Sequence, residues 1–190
     1  MVPAMTAQGE HDDGAETRAI TRKRLRQAAL ELQARRDIAT GLHTTDLSLA
    51  ERAQALGFDQ HTAKVLDLLP VIHVAWADGE VQTEERQAIL RLLEARNIAI
   101  DDPAHVLVSA LLERHPGQVY LDETLSILHD LVASNKTRAE VLVDLCYAIA
   151  EAHGAQQDPI DPRERETLFA VAEALGDRAQ AWVQSKFGER

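Results

Sequence analysis

Two stretches of this chain read alike, and together they decide its fold. The first is Val74-Ala75-Trp76-Ala77-Asp78-Gly79, followed by Val81 and then Glu84-Glu85-Arg86. The second is Ile149-Ala150-Glu151-Ala152-His153-Gly154, followed by Ile160 and then Arg163-Glu164-Arg165. In each, an apolar helical run ends in a small residue and a glycine, a lone β-branched residue follows, and an acidic helix start comes next. Glycine takes positive φ without steric cost, so Gly79 and Gly154 are expected to end their helices. Val81 and Ile160 pin the loops to a core, and acidic side chains in the next first turn favour the positive end of that helix. The reading is an internal duplication of a helix–turn–helix unit, with a second loop longer by about four residues, Gln156 to Pro159.

Outward from these turns, helical signals continue. Ser48 and Glu51 have capping-box spacing, as do Thr137 and Glu140, and Asp161-Pro162 with Glu164 adds a proline at the first helical position. Asp59 and Thr83 are expected N-caps, Asp102-Pro103 opens another helix, and Gly57 and Gly176 are expected stops. Pro70 removes one backbone hydrogen bond within an apolar run, which predicts a kink or break near Leu66. Leu168, Val171, Ala172 and Leu175 recur at helical spacing, and no segment alternates with period two long enough for a strand. The expectation is an all-α, compact helical bundle of about seven to nine helices. Residues 1–16 read as a polar, disordered tail, residues 17–57 as a helical extension, and residues 58–190 as the main helical domain.

Composition agrees. The chain is 45% hydrophobic but only 4% aromatic, so Leu, Ala, Val and Ile must fill the core. The net charge of −11 repels phosphate backbones and disfavours nucleic acid as a partner. The stretch from Thr17 to Arg36 is the exception. It carries Arg18, Arg22, Lys23, Arg24 and Arg26 beside a face of Leu25, Ala28, Ala29 and Leu32. Such a helix can bind membranes or acidic partners, and a solvated face that offsets the acidic remainder is the simpler reading. Cys146, the one cysteine, lies in an apolar run and reads as a small buried hydrophobe. The N-terminus lacks an apolar signal core, and the run from Leu68 to Ala77 is too short to span a bilayer, so a cytoplasmic location is expected.

Asp78 poses an electrostatic problem. A carboxylate at a helix C-terminus faces the negative end of the macrodipole, at a cost of roughly 0.3–1 kcal/mol when exposed. Hydrogen bonds from loop amides can offset this, and so can a cation shared with Glu84 or Glu85. A calcium EF-hand fails on spacing, because Thr83 and Ile89 stand where its glycine and bidentate acid belong. No zinc-protease, paired-cysteine, Walker or nucleophile-elbow motif occurs, so no catalytic role is assigned. Adjacent Glu84 and Glu85 diverge by about 100° on a helix and read as solvating and capping groups. His73, in an apolar helix, reads as a satisfied core or boundary residue.

The arrangement resembles the TerB-like family of tellurite-resistance proteins, whose hallmark is a helix running into Ala-Asp-Gly, a short loop and a Glu, repeated later in the chain. Ala77-Asp78-Gly79 with Glu85 matches the first copy. Leu145-Cys146-Tyr147-Ala148-Ile149-Ala150, Gly154, Asp161 and Glu164 match the second, and Ile127 to Glu140 is similar to the central region. The resemblance covers roughly residues 60 to 185. It extends to the N-terminal domain of a DnaJ-like membrane co-chaperone, although His115-Pro116-Gly117 is not the His-Pro-Asp signature of a J-domain. The resemblance implies a non-enzymatic stress-response module that acts with a protein partner, including membrane-associated ones, and carries an acidic surface able to take a divalent metal. Asp78 and Glu85 lead as metal ligands, followed by Asp161 and Glu164. His153 stands where the family has Asp, so His153 itself or Asp158 of the longer loop would have to replace the lost carboxylate. The alternatives are a pure interaction scaffold in which Asp78 is only a structural cap, and an enzyme using carboxylate and histidine chemistry around His153 and Asp161.

Overall fold

The structure is a computed structural model that describes residues 11–133, 136–153 and 160–188, with side chains at all of these except 11–15, 136–137 and 153. Among the described residues there are nine α-helices, one 3₁₀ helix and no strand. In order they are α1 (His11–Gly41), α2 (Leu47–Ala55), the 3₁₀ helix (Ala63–Leu68), α3 (Leu69–Ala75), α4 (Thr83–Ala95), α5 (Pro103–Glu113), α6 (Gln118–Ala133), α7 (Lys136–His153), α8 (Pro162–Leu175) and α9 (Asp177–Gly188).

The duplicated units are α3–α4 and α7–α8. They do not sit side by side as separate lobes. Helix α3 packs on α6, α7 and α8, while α4 packs on α7 and α5. One continuous core results, in which Ile72, Ile89 and Leu93 of the first unit join Val143, Cys146, Ile149 and Leu168 of the second. Cys146 is fully buried, and burial pushes its thiol well above the ordinary range, as expected of a small apolar core residue.

Several local signals resolve differently from their sequence reading. Helix α2 is capped by Asp46, whose Oδ1 accepts from the Ser48 amide at 2.8 Å, so Ser48 lies inside the helix rather than at its cap. Thr83 is the first residue of α4, and Gln82 occupies the N-cap. The break at Pro70 appears as a change of helix type: the chain is 3₁₀ up to Leu68 and α-helical from Leu69, with proline in the first turn where its missing N–H costs nothing. Asp59 holds the preceding turn, accepting from the amides of His61 and Thr62, each at 2.9 Å. The sides of Thr137 and the conformations of Gly154, Gln156, Gln157, Asp158 and Pro159 lie outside the described residues.

Helix α1 is longer than its sequence signal, beginning by His11 and running to Gly41. Only its last turns join the core, through Ile38, Ala39 and the following Leu42. Gly41 permits this contact, since a Cβ there would meet Ala63 Cβ at 2.9 Å. No helix of the described residues is long and apolar enough to cross a membrane.

Candidate functional site

The residues that follow the first turn are arranged around Glu85. Gly79 has φ of 101°, which ends the helical path after α3 and sends the chain toward α4. Asp78 is half-buried within this turn. Its Oδ1 accepts from the Glu80 amide at 3.1 Å and its Oδ2 from the Gln82 side-chain amide at 3.2 Å. These bonds answer the electrostatic problem of a carboxylate at a helix end without requiring an ion.

Glu85, at the third position of α4, reaches back so that its Oε2 accepts from the Gln82 amide at 2.9 Å. Glu164 repeats this in α8: its Oε2 accepts from the Asp161 amide at 2.8 Å, while Asp161 Oδ1 accepts from the Arg163 amide at 2.8 Å. Both glutamates are nearly inaccessible, 1% exposed for Glu85 and 4% for Glu164. The reading of Glu84 and Glu85 as two solvated groups therefore divides. Glu84 is exposed, whereas Glu85 is in the core.

The first turn of α8 bears on this point through Glu164. Burial pushes the Glu85 carboxyl up to about 7; the Gln82 amide opposes the shift, and the like charges of Glu164, Asp78 and Glu84 add to it. Glu85 Oε1 is buried and has no hydrogen-bond partner. A buried carboxylate oxygen without a donor is costly, and functional sites are among the places where such groups persist.

Of the sequence candidates, then, Asp78 and Glu164 both act on Glu85, and Asp161 serves as the N-cap of the helix that carries Glu164. His153 is the last residue of α7, with its side chain outside the described residues, as is Asp158. Among the described residues, no three His, Cys, Asp or Glu side chains form a group that could hold a metal ion. The donors present are carboxylate oxygens, which suit hard cations of the calcium or magnesium type, and the orphaned Glu85 Oε1 is the one atom that such an ion would satisfy.

The chain matches the family model described as tellurite resistance protein TerB over residues 62–186. The chain belongs to the TerB family. No curated protein and no solved structure matches it. The matched span begins just before the 3₁₀ helix and ends in α9, so both turns of this TerB domain lie within it, and α1 and α2 lie wholly before it.

A second group of ionisable side chains surrounds the same helix. His73 is half-buried with Nδ1 unpartnered, against the expectation of a satisfied histidine. Burial lowers its pKa; the Asp122 carboxylate opposes this and His115 adds to it. Trp76 Nε1 donates to the Leu111 carbonyl at 2.9 Å and Arg86 Nη2 to that of Leu112. These bonds tie the end of α5 to the first TerB unit and satisfy carbonyls that a helix terminus leaves free.

Proposed function

We propose that this TerB domain is a non-enzymatic, stress-response module of the tellurite-resistance type that binds a protein partner and takes up a divalent cation at the paired turns. The observation that carries the cation reading is Glu85. Its carboxylate is buried against the like charges of Glu164 and Asp78, and one of its oxygens has no donor. An ion of charge +2 would neutralise that repulsion and occupy the orphan oxygen. Glu85 would be its direct ligand, and because no three described carboxylates gather into one metal-holding group, Glu164 and Asp78 would contribute through their charge and through bridging water. Further ligands would come from water or from the longer second loop, which contains Asp158. In a cytoplasmic TerB module such an ion would couple the two turns and so the shape of the acidic end offered to a partner.

The test is a melting series at pH 8 with and without millimolar calcium or magnesium. The ion should raise the melting temperature of the native chain and leave Glu85→Gln and Asp78→Ala unmoved. Calorimetry showing no heat of binding at millimolar ion would remove the cation from the proposal. A second reading, a scaffold without metal, draws on the hydrogen bonds that already satisfy Asp78. It requires Asp78→Asn to be mild and divalent ions to have no effect.

A further inference from the structure

The part of α1 that precedes the core buries none of its side chains. Every residue from 16 to 33 is exposed, Leu25 to 66% and Leu30 to 61%, and only Leu30 and Gln33 reach a concavity shared with Asp59, Gln60 and His61, so roughly 27 Å of helix lies outside the core. Helices in proteins draw most of their stability from packing an apolar face, and this one has none to pack against. Its charges make matters worse. Arg18, Arg22 and Arg26 follow one another at i, i+4 spacing, where like charges repel. Among the described residues none of these three, nor Lys23 or Arg24, makes an ion pair.

At 100° per residue, this arginine ridge runs alongside Leu25, Ala29 and Leu32. Ile20 and Leu30 point elsewhere, and the strip has only two large apolar side chains and no aromatic one. A helix that lies in a membrane interface needs a broader apolar face. The strip suits an acidic protein surface better. The chain supplies one: residues 16–33 carry a net charge of +3, with five cations between Arg18 and Arg26, residues 1–15 carry −3, and residues 34–190 carry −11.

We infer that the projecting segment of α1 docks on the acidic bundle of a second copy of this chain. Two arms repel each other, so the contact runs from arm to bundle, and reciprocal docking closes a dimer with two equivalent contacts. The occupant relieves the arginine repulsion and covers Leu25 and Leu32.

Sedimentation velocity on the full chain at tens of micromolar tests this. A dimer is expected at about 50 mM salt, with at least a tenfold weaker association at about 0.5 M, where charge–charge attraction is screened. The variant with Arg22→Glu, Lys23→Glu, Arg24→Glu and Arg26→Glu should be monomeric at low salt with an unchanged melting temperature, because these side chains are exposed. The corresponding four-glutamine variant should dimerise with intermediate strength. A native chain that is monomeric at low salt overturns the inference, and so does a dimer that survives 0.5 M salt or the four-glutamate variant. Monomers that bind phosphatidylserine vesicles through the arm overturn it in favour of a membrane surface.

Discussion

Replacing Glu85 by Gln should stabilise this protein at alkaline pH, although it alters a buried capping residue. The amide keeps a carbonyl oxygen for the Gln82 N–H and the same shape, so the cap bond at 2.9 Å survives. What disappears is the charge. The Glu85 carboxyl titrates near 7 in the folded chain against 4.5 for an unperturbed glutamate. At about 1.4 kcal/mol per pH unit, ionising it within the fold costs about 3 kcal/mol once the pH is well above 7. The sign follows from proton counts. Between 4.5 and 7 the folded state holds more proton than the unfolded chain, so native stability falls as pH rises through that window. Below it Glu85 is protonated in both states and the penalty vanishes. Urea melts of both proteins at pH 5 and pH 8 read this directly. The gain for Glu85→Gln should approach 3 kcal/mol at pH 8, a rise of roughly 6–12 °C in melting temperature for a chain of this size, and fall below about 1 kcal/mol at pH 5. Equal stability of the two proteins at both pH values would refute the burial argument, as would a loss at pH 8.

Three further substitutions probe the frame that holds this site. Asp161→Ala removes the N-cap that accepts from Arg163 and should cost about 1 kcal/mol in denaturant melts. Gly176→Ala should cost about 1–2 kcal/mol, because φ there is 104° while the new Cβ would meet His129 only at an ordinary 3.6 Å; a neutral result in thermal melts would contradict the positive φ. Trp76→Phe leaves the Leu111 carbonyl without its donor and should cost about 1–2 kcal/mol, measured by urea unfolding.

The helices and their stops were legible because Gly57, Gly79 and Gly176 all adopt positive φ and Asp102 and Asp161 cap as their spacing implies. The duplication was legible from its helix starts, where Glu85 accepts from the Gln82 amide and Glu164 from that of Asp161. The burial of Glu85 is hidden by its charge, yet the sequence carries a signal for it. Glu85, Ile89 and Leu93 fall at i, i+4, i+8, and Glu164 precedes Leu168 by the same step, so both glutamates lie on the buried stripes of their helices. Charge pulled the reading toward solvent, while tertiary packing of one unit on the other decided otherwise. Helix α1 shows the converse. Its period marks a face of Leu25 and Leu32, but period alone does not say whether anything buries that face, and within one chain both side chains stay exposed.

The burial of Glu85 against the like charges of Glu164 and Asp78 is tested most directly by carbon-detected NMR titration of its side chain, with and without a saturating divalent ion. The carboxyl should titrate near 7 without the ion and shift clearly downward when the ion is added, since a cation favours the charged form. A midpoint near 4.5 that the ion does not move would contradict both the burial of the pair and its role as a cation site.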